Sequence, residues 1–293
     1  MHYMQVPSHV EYERATSVEH ALSLLSRPDT RVLAGGHSLI PMMKLRLAQP
    51  EVLVDINDLA ELSYIRLDGG QLRIGALARH ADLLDSAVAG ELFPIFHDAE
   101  RVVADPIVRL WGTVGGSLCQ ADPSEDLSAV FAAARAVAVI RGQDGDREIP
   151  VRQFHLGPYE TVIGPGELLA EVRVPVLVPA HGGAGSAYEK VARRVGDWSV
   201  AAVGAVLRLG KDHIQDAGIG LTAVGAEHFV AAEAEDFLRG RAPDEESFRA
   251  AGAIAAEHCH PVADQRGPED YKRHLVAELT ARALCRAAER ASR

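Results

Sequence analysis

Two short segments, Ala34-Gly35-Gly36-His37-Ser38 and Thr113-Val114-Gly115-Gly116-Ser117, constrain the fold more than any other feature of the sequence. Each reads as a loop between an apolar strand-like run and a helix-like run. Glycine lets a main chain approach a phosphate closely, and free N–H groups at a helix start add donors and a favourable dipole. Two such loops suggest one elongated anionic ligand gripped in two places, and a pyrophosphate is the group that most needs that grip. Taken singly, a Gly-Gly pair is better explained as a strand-to-helix turn requiring positive φ. Neither segment fits G-x-G-x-x-G with a following acidic residue, nor G-x-x-x-x-G-K-[ST], which disfavours Rossmann and P-loop folds. The hydroxyls of Ser38, Thr113 and Ser117 can donate to phosphate oxygens or cap helices.

The 293 residues exceed the usual ~100–200 per domain, so two or three compact units are expected. No run approaches the roughly 18 apolar residues of a membrane span. The start, Met1 to Pro7, has no basic flank and no apolar core, so no secretory signal is expected and the cytoplasm is the default. A net charge of −11 opposes a nucleic-acid backbone. The three cysteines, Cys119, Cys259 and Cys285, are too few and too widely spaced for a zinc or iron-sulfur site. His258 and His260 flank Cys259 at a spacing that diverges on a helix, so no metal site is expected.

Periodicity gives an amino-terminal part of mixed α and β. Thr16 to Glu19 has capping-box spacing and opens a helix ending near Arg27-Pro28. Strands follow at Arg31 to Ala34 and Glu51 to Ile56, with a helix from Leu39 to Leu47 and a hairpin turning at Asp68-Gly69. Helical patterns cover Arg79 to Ser86 and Leu92 to Val103. Asp122-Pro123-Ser124-Glu125 reads as a helix start with Asp122 at the N-cap. Strands are expected at Ala136 to Ile140, Thr161 to Ile163 and Leu168 to Val174. The glycine-dense Pro179 to Gly185 is the best domain boundary. Three strands, Ser186 to Arg194, Val200 to Leu209 and His213 to Leu221, precede three helices, His228 to Leu238, Glu245 to His258 and Pro268 to Glu289. That order suggests helices on one face of an antiparallel sheet.

Asp126 is less fully explained by capping than Glu125 and can accept from ribose hydroxyls. His37 has no evident nucleophile or orienting carboxylate, which favours a plain loop histidine. Tyr188 and Lys190 share one strand face, which could cover a flavin ring or be half-buried on an ordinary strand.

Ala34 to Arg46, then Thr113 to Ser117 running into Ala121-Asp122-Pro123-Ser124-Glu125-Asp126-Leu127, resemble the FAD-binding medium subunits of molybdenum hydroxylases, the xanthine dehydrogenase family. Tyr188-Glu189-Lys190, Gly196-Asp197-Trp198 and Tyr271 to Leu275 resemble its carboxy-terminal signatures, and the carbon monoxide dehydrogenase branch looks nearest. The resemblance implies an α+β fold. Residues 1–178 would form an FAD-binding domain of two subdomains (about 1–57 and 58–178) of the vanillyl-alcohol-oxidase (PCMH) type. Residues 179–293 would form a small antiparallel sheet with helices.

It further implies that Ala34, Gly35, Gly36, His37, Ser38 and Leu39, with Thr113, Gly115, Gly116 and Ser117, hold the pyrophosphate of FAD, with Cys119 and Gln120 close by. Asp126 would sit at the ribose or adenosine, Leu169 near the adenine or ring edge, and Tyr188 and Lys190 by the isoalloxazine. Ser117 stands where the family often has Asn, and Cys119 where a non-thiol is common. The implied activity is electron relay, with no catalytic acid, base or metal on this chain. A large subunit oxidises substrate, carbon monoxide in the nearest branch, at a molybdenum cofactor. A small subunit passes electrons through two [2Fe-2S] clusters to the flavin, which feeds a quinone or other acceptor. A dimer of heterotrimers, cytoplasmic or at the inner face of the membrane, is the expected assembly. Aldehyde, purine or N-heteroaromatic dehydrogenases remain alternatives, as does a stand-alone flavin oxidoreductase or a non-enzymatic FAD-binding protein.

Overall fold

The computed structural model describes residues 6–176 and 183–292. It opens on a β-α-β unit in which strands Glu11–Arg14 and Thr30–Leu33 flank Val52–Asp55, all parallel. The crossover helix Val18–Leu25 buries Val18, Ala21, Leu22 and Leu25 against this sheet, the spacing of a single apolar face. Its cap is Ser17, whose Oγ accepts from the His20 backbone N–H at 3.1 Å, one residue later than the expected box.

A second, antiparallel sheet has the spatial order Ile65–Asp68, Gln71–Gly75, Leu168–Pro175, Val137–Gly142, Gly145–Pro150. Its first hairpin turns on Gly69 and Gly70, both at positive φ, so Asp68 remains paired in the strand rather than entering the turn. Gly145–Pro150, mostly exposed, has no apolar alternation and is not visible in the sequence pattern. The expected strand Thr161 to Ile163 reduces to Glu160–Thr161 paired with His155–Gly157.

The third sheet, Ala184–Ala192, Ser199–Leu209 and Ile214–Thr222, is antiparallel and covered on both faces. Val203, Ala205, Leu207, Ile219 and Leu221 pack against helices Glu245–His258 and Glu269–Ala291. The alternate residues Tyr188, Ala202 and Val206 join the core of the preceding domain. Two buried faces explain the unbroken apolar run from Val200 to Leu207. Helix Asp126–Ala133, buried at every residue, lies on this sheet where Gly218 and Gly220 leave room: a Cβ there would stand 2.0 and 1.9 Å from the carbonyl oxygens of Ala133 and Ala129. Pro179 to Gly182 of the expected linker, like Met1 to Gln5, lie outside the described residues, whereas Ala184 and Gly185 belong to the first strand. Among the described residues no helix is long and apolar enough to cross a membrane.

Candidate functional site

A cleft of about 1280 Å³ runs between the parallel unit, the antiparallel sheet and the edge of the third sheet. It exceeds the ~300–1,000 Å³ of ordinary small-molecule pockets, as an elongated cofactor requires. Strand Thr30–Leu33 delivers the first glycine segment to its wall, and helix Leu39–Lys44 leads away. Among the described residues, no backbone or side-chain acceptor takes the N–H groups of Gly35, Gly36, His37, Ser38 or Leu39. The Ser38 hydroxyl makes no capping bond. Unpaired amides gathered in one turn are the equipment of an anion site.

The second glycine segment differs from its sequence reading. The run before it is a helix, Pro106–Trp111, begun by Asp105, which accepts from the Val108 N–H, and by proline in the first turn. The glycines lie inside helix Val114–Gln120. Its amides are occupied: Val114 and Gly115 donate to the carbonyls of Ala78 and Ala76 at 2.9 Å, and Gly116 donates to Thr113 Oγ1 at 3.0 Å. Thr113 is therefore a cap, and Gly115 serves close packing, since a Cβ there would meet Ala76 O at 2.8 Å. The two segments touch. A Cβ on Gly35 would stand 2.1 Å from Trp111 O, so only glycine lets the first loop close on the lead-in to the second.

Every residue expected at a cofactor lines this cleft except Tyr188. Tyr188 is buried, and its hydroxyl donates to Asp126 Oδ1 at 2.6 Å. Ser199 Oγ donates to the same oxygen at 2.9 Å, and Lys190 Nζ donates to Oδ2 at 2.8 Å. Three donors thus converge on the Asp126 carboxylate, and the side chains that share a strand face meet there. Burial, then the Asp126 charge, pushes the Tyr188 phenol well above its ordinary range. Asp122 is not the helix cap. Its carboxylate accepts from the Ser124 N–H in the preceding turn, and Glu125 caps the helix, accepting from the Leu127 and Ser128 N–H groups. Burial raises Glu125 to about 7 despite those bonds.

Cys119 lies exposed on the wall. Gln120 Nε2 reaches Met42 Sδ at 3.2 Å, tying the two helices together. Leu169 is buried beside a register shift in its strand. The sequence reading missed Trp198 as a wall residue, the turn Gly164-Pro165-Gly166, and a buried pair, His80 and Glu100. Gly-Pro-Gly is a turn signal that marks the former, while the pair joins two separate helices and leaves no local pattern. Among the described residues no group of three or more His, Cys, Asp or Glu could hold a metal ion.

A long cleft with an amide-lined turn at the end of a β-α-β unit, closed by a second domain, defines a protein that binds an extended nucleotide cofactor. The model described as the FAD binding domain in molybdopterin dehydrogenase matches residues 8–177, and that described as the CO dehydrogenase flavoprotein C-terminal domain matches 186–287. The chain belongs to this family of molybdopterin dehydrogenase FAD-binding proteins. It is 38% identical to the carbon monoxide dehydrogenase medium chain of Hydrogenophaga pseudoflava, covering 95% of this chain and 97% of that one. It is 35% identical to the glyceraldehyde dehydrogenase medium chain of Sulfolobus acidocaldarius, covering 95% and 98%. A solved cyanide-inactivated Cu,Mo-CO dehydrogenase superposes with a TM-score of 0.92 at 38% identity, covering 98% of this chain and 100% of the other. The residues suit FAD: the first loop offers five unpaired amides and a free hydroxyl, with no carboxylate between Ala34 and Leu39.

Proposed function

We propose that this chain is the FAD-carrying medium subunit of a molybdenum hydroxylase complex that oxidises carbon monoxide to carbon dioxide. The observation that carries the reading is the row of unpaired amides from Gly35 to Leu39 on a cleft long enough for a dinucleotide. Bound there, FAD would take up electrons arriving from the iron-sulfur clusters of a small subunit and release them to an acceptor. The rest of the work is binding and orientation. Ala34, Gly35, Gly36, His37, Ser38 and Leu39 hold the diphosphate through main-chain donors. Thr113, Gly115, Gly116 and Ser117 form the opposite, closely packed wall, continued by Cys119 and Gln120. Leu169 covers the adenine or ring edge, and Lys190 stands by the isoalloxazine, fixed by Asp126, which Tyr188 holds from behind.

The large subunit supplies the molybdenum cofactor, so substrate is bound and oxidised off this chain. Supporting this, medium chains named for carbon monoxide and for glyceraldehyde are of nearly equal likeness to it. The domain boundary falls near residue 178, the assembly is a dimer of heterotrimers, and a quinone at the inner face of the cytoplasmic membrane takes the electrons. The test is purification with the native partners. Bound FAD, co-purifying molybdenum and iron-sulfur chains, and dye reduction driven by carbon monoxide are expected, with no turnover by this chain alone. Turnover of substrate by the isolated chain overturns the subunit reading. A complex that reduces dye with aldehydes or heteroaromatics and not with carbon monoxide overturns the substrate.

A further inference from the structure

Ser117, which faces the cleft, is linked inward to two buried side chains. Its Oγ lies 3.0 Å from His80 Nε2, and His80 Nδ1 lies 3.0 Å from Glu100 Oε1 and 3.1 Å from Oε2. His80 is almost fully buried and Glu100 completely so. Ser-His-Glu is also the order of a hydrolytic triad, but the amides beside Ser117 are already bonded and form no oxyanion hole. The Gly116 N–H is bound to Thr113 Oγ1 and the Ser117 N–H to Thr113 O. The constellation is built to orient the Ser117 hydroxyl.

We propose that His80 is a positioning residue for the bound dinucleotide, and that its protonation turns the Ser117 hydroxyl into a donor toward an anionic oxygen in the cleft. The inference rests on the FAD reading above. Glu100 fixes the proton on Nδ1, so in neutral His80 the Nε2 lone pair accepts the Ser117 hydroxyl proton and the serine shows the cleft only acceptor lone pairs. In the imidazolium, Nε2–H donates to Ser117 Oγ, which frees the hydroxyl proton to point into the cleft. No other atom need move.

The charges around His80 favour the protonated form. Glu100 faces it from helix Pro94–Glu100, and Glu125 and Asp126 from the start of the next buried helix, with Lys190 paired to Asp126. Burial raises the Glu100 carboxyl itself, while the His80 charge and hydrogen bond, and Arg109 on helix Pro106–Trp111, favour its ionised form. Burial alone would lower the His80 pKa, and the Glu100 carboxylate with its bond, joined by the Glu125 and Asp126 charges, reverses the sign, so the net shift is upward.

The experiment is FAD titration of the full-length apo chain, read by quenching of flavin fluorescence between about pH 6 and 9. The wild type should bind FAD about tenfold more weakly at the alkaline end, the scale of one charge-assisted hydrogen bond. Ser117→Ala leaves His80, Glu100 and the titrating Glu125 in place, so it should weaken binding at pH 6 and flatten the profile. Ser117→Thr, which restores a hydroxyl, should recover both. His80→Gln should lose the same part of the pH slope as Ser117→Ala, in a chain whose circular dichroism is unchanged; a misfolded His80→Gln leaves the serine pair to decide. Ser117→Ala with wild-type affinity and slope overturns the proposal while FAD binding itself stands. A wild-type chain that binds no FAD at any pH overturns both.

Discussion

Asp126 is one of the residues through which the amino-terminal domain meets the third sheet. Its pair with Lys190 is buried on both sides, with side-chain exposures of 8% and 4%, and Tyr188 and Ser199 complete the shell. Removing one member of a buried pair strands the other charge, so Asp126→Asn and Lys190→Met should each cost about 3–5 kcal/mol. The double variant should cost less than their sum. Urea unfolding of the apo chain measures all three, and additive losses would show that the two charges do not interact. Tyr188→Phe removes one donor and should cost about 1 kcal/mol without releasing FAD; loss of the flavin would bring the phenol into the cofactor site. The period-two rule correctly brings Tyr188 and Lys190 to one face. Their common partner is invisible to that rule, because Asp126 is more than sixty positions away in sequence.

At the scale of elements, the two glycine segments look alike in sequence and do opposite things. The first is a turn with unused amides, and the second is a capped helix whose amides are spent. The distinction was hidden because helix Pro106–Trp111 buries none of its residues, so no apolar stripe announces it; only Asp105-Pro106 does. Elements with a clear buried face were legible, and Glu245–His258 falls where its periodicity puts it. The glycines can be told apart by adding one carbon. Gly35→Ala drives a Cβ into the Trp111 carbonyl at 2.1 Å, backbone against backbone, and should open the junction of the loops and abolish FAD retention. Gly116→Ala meets only Thr113 Oγ1 at 2.7 Å and should displace that cap for about 1 kcal/mol, with most FAD retained. FAD content per chain after gel filtration separates them. Equal retention by the two variants would remove the close approach of the loops as the reason for Gly35.

For the whole molecule, the three cores are legible as patterns of burial, while the buried ionisable groups between them are not, since each depends on partners from other elements. Those groups set how stability changes with pH. Glu125 rises to about 7 from an ordinary 4.5, chiefly by burial, and His80 rises above 6.5 because the Glu100 charge and hydrogen bond, with the Glu125 and Asp126 charges, together outweigh its burial. Both groups bind a proton more tightly folded than unfolded, so the folded chain carries more protons and stability falls as pH increases. The Glu125 contribution declines from about 4.5 to about 7; that of His80 is complete below 6.5 and is lost as pH passes its folded value. On the acid side, Asp55, Asp146, Glu167 and Asp264 are shifted down, so their stabilisation is present at neutral pH and fails as pH falls below the ordinary carboxylate range. The apo chain should therefore be most stable in mildly acid buffer and lose stability steadily toward pH 8. Glu125→Gln, which keeps a side-chain oxygen for the cap, should remove the part of the slope below about 7 and leave the His80 part. Thermal midpoints at fixed ionic strength in half-unit steps from pH 5 to 8.5 test this. A midpoint that climbs or stays level between pH 6 and 8 would mean that neither group is held protonated by the fold.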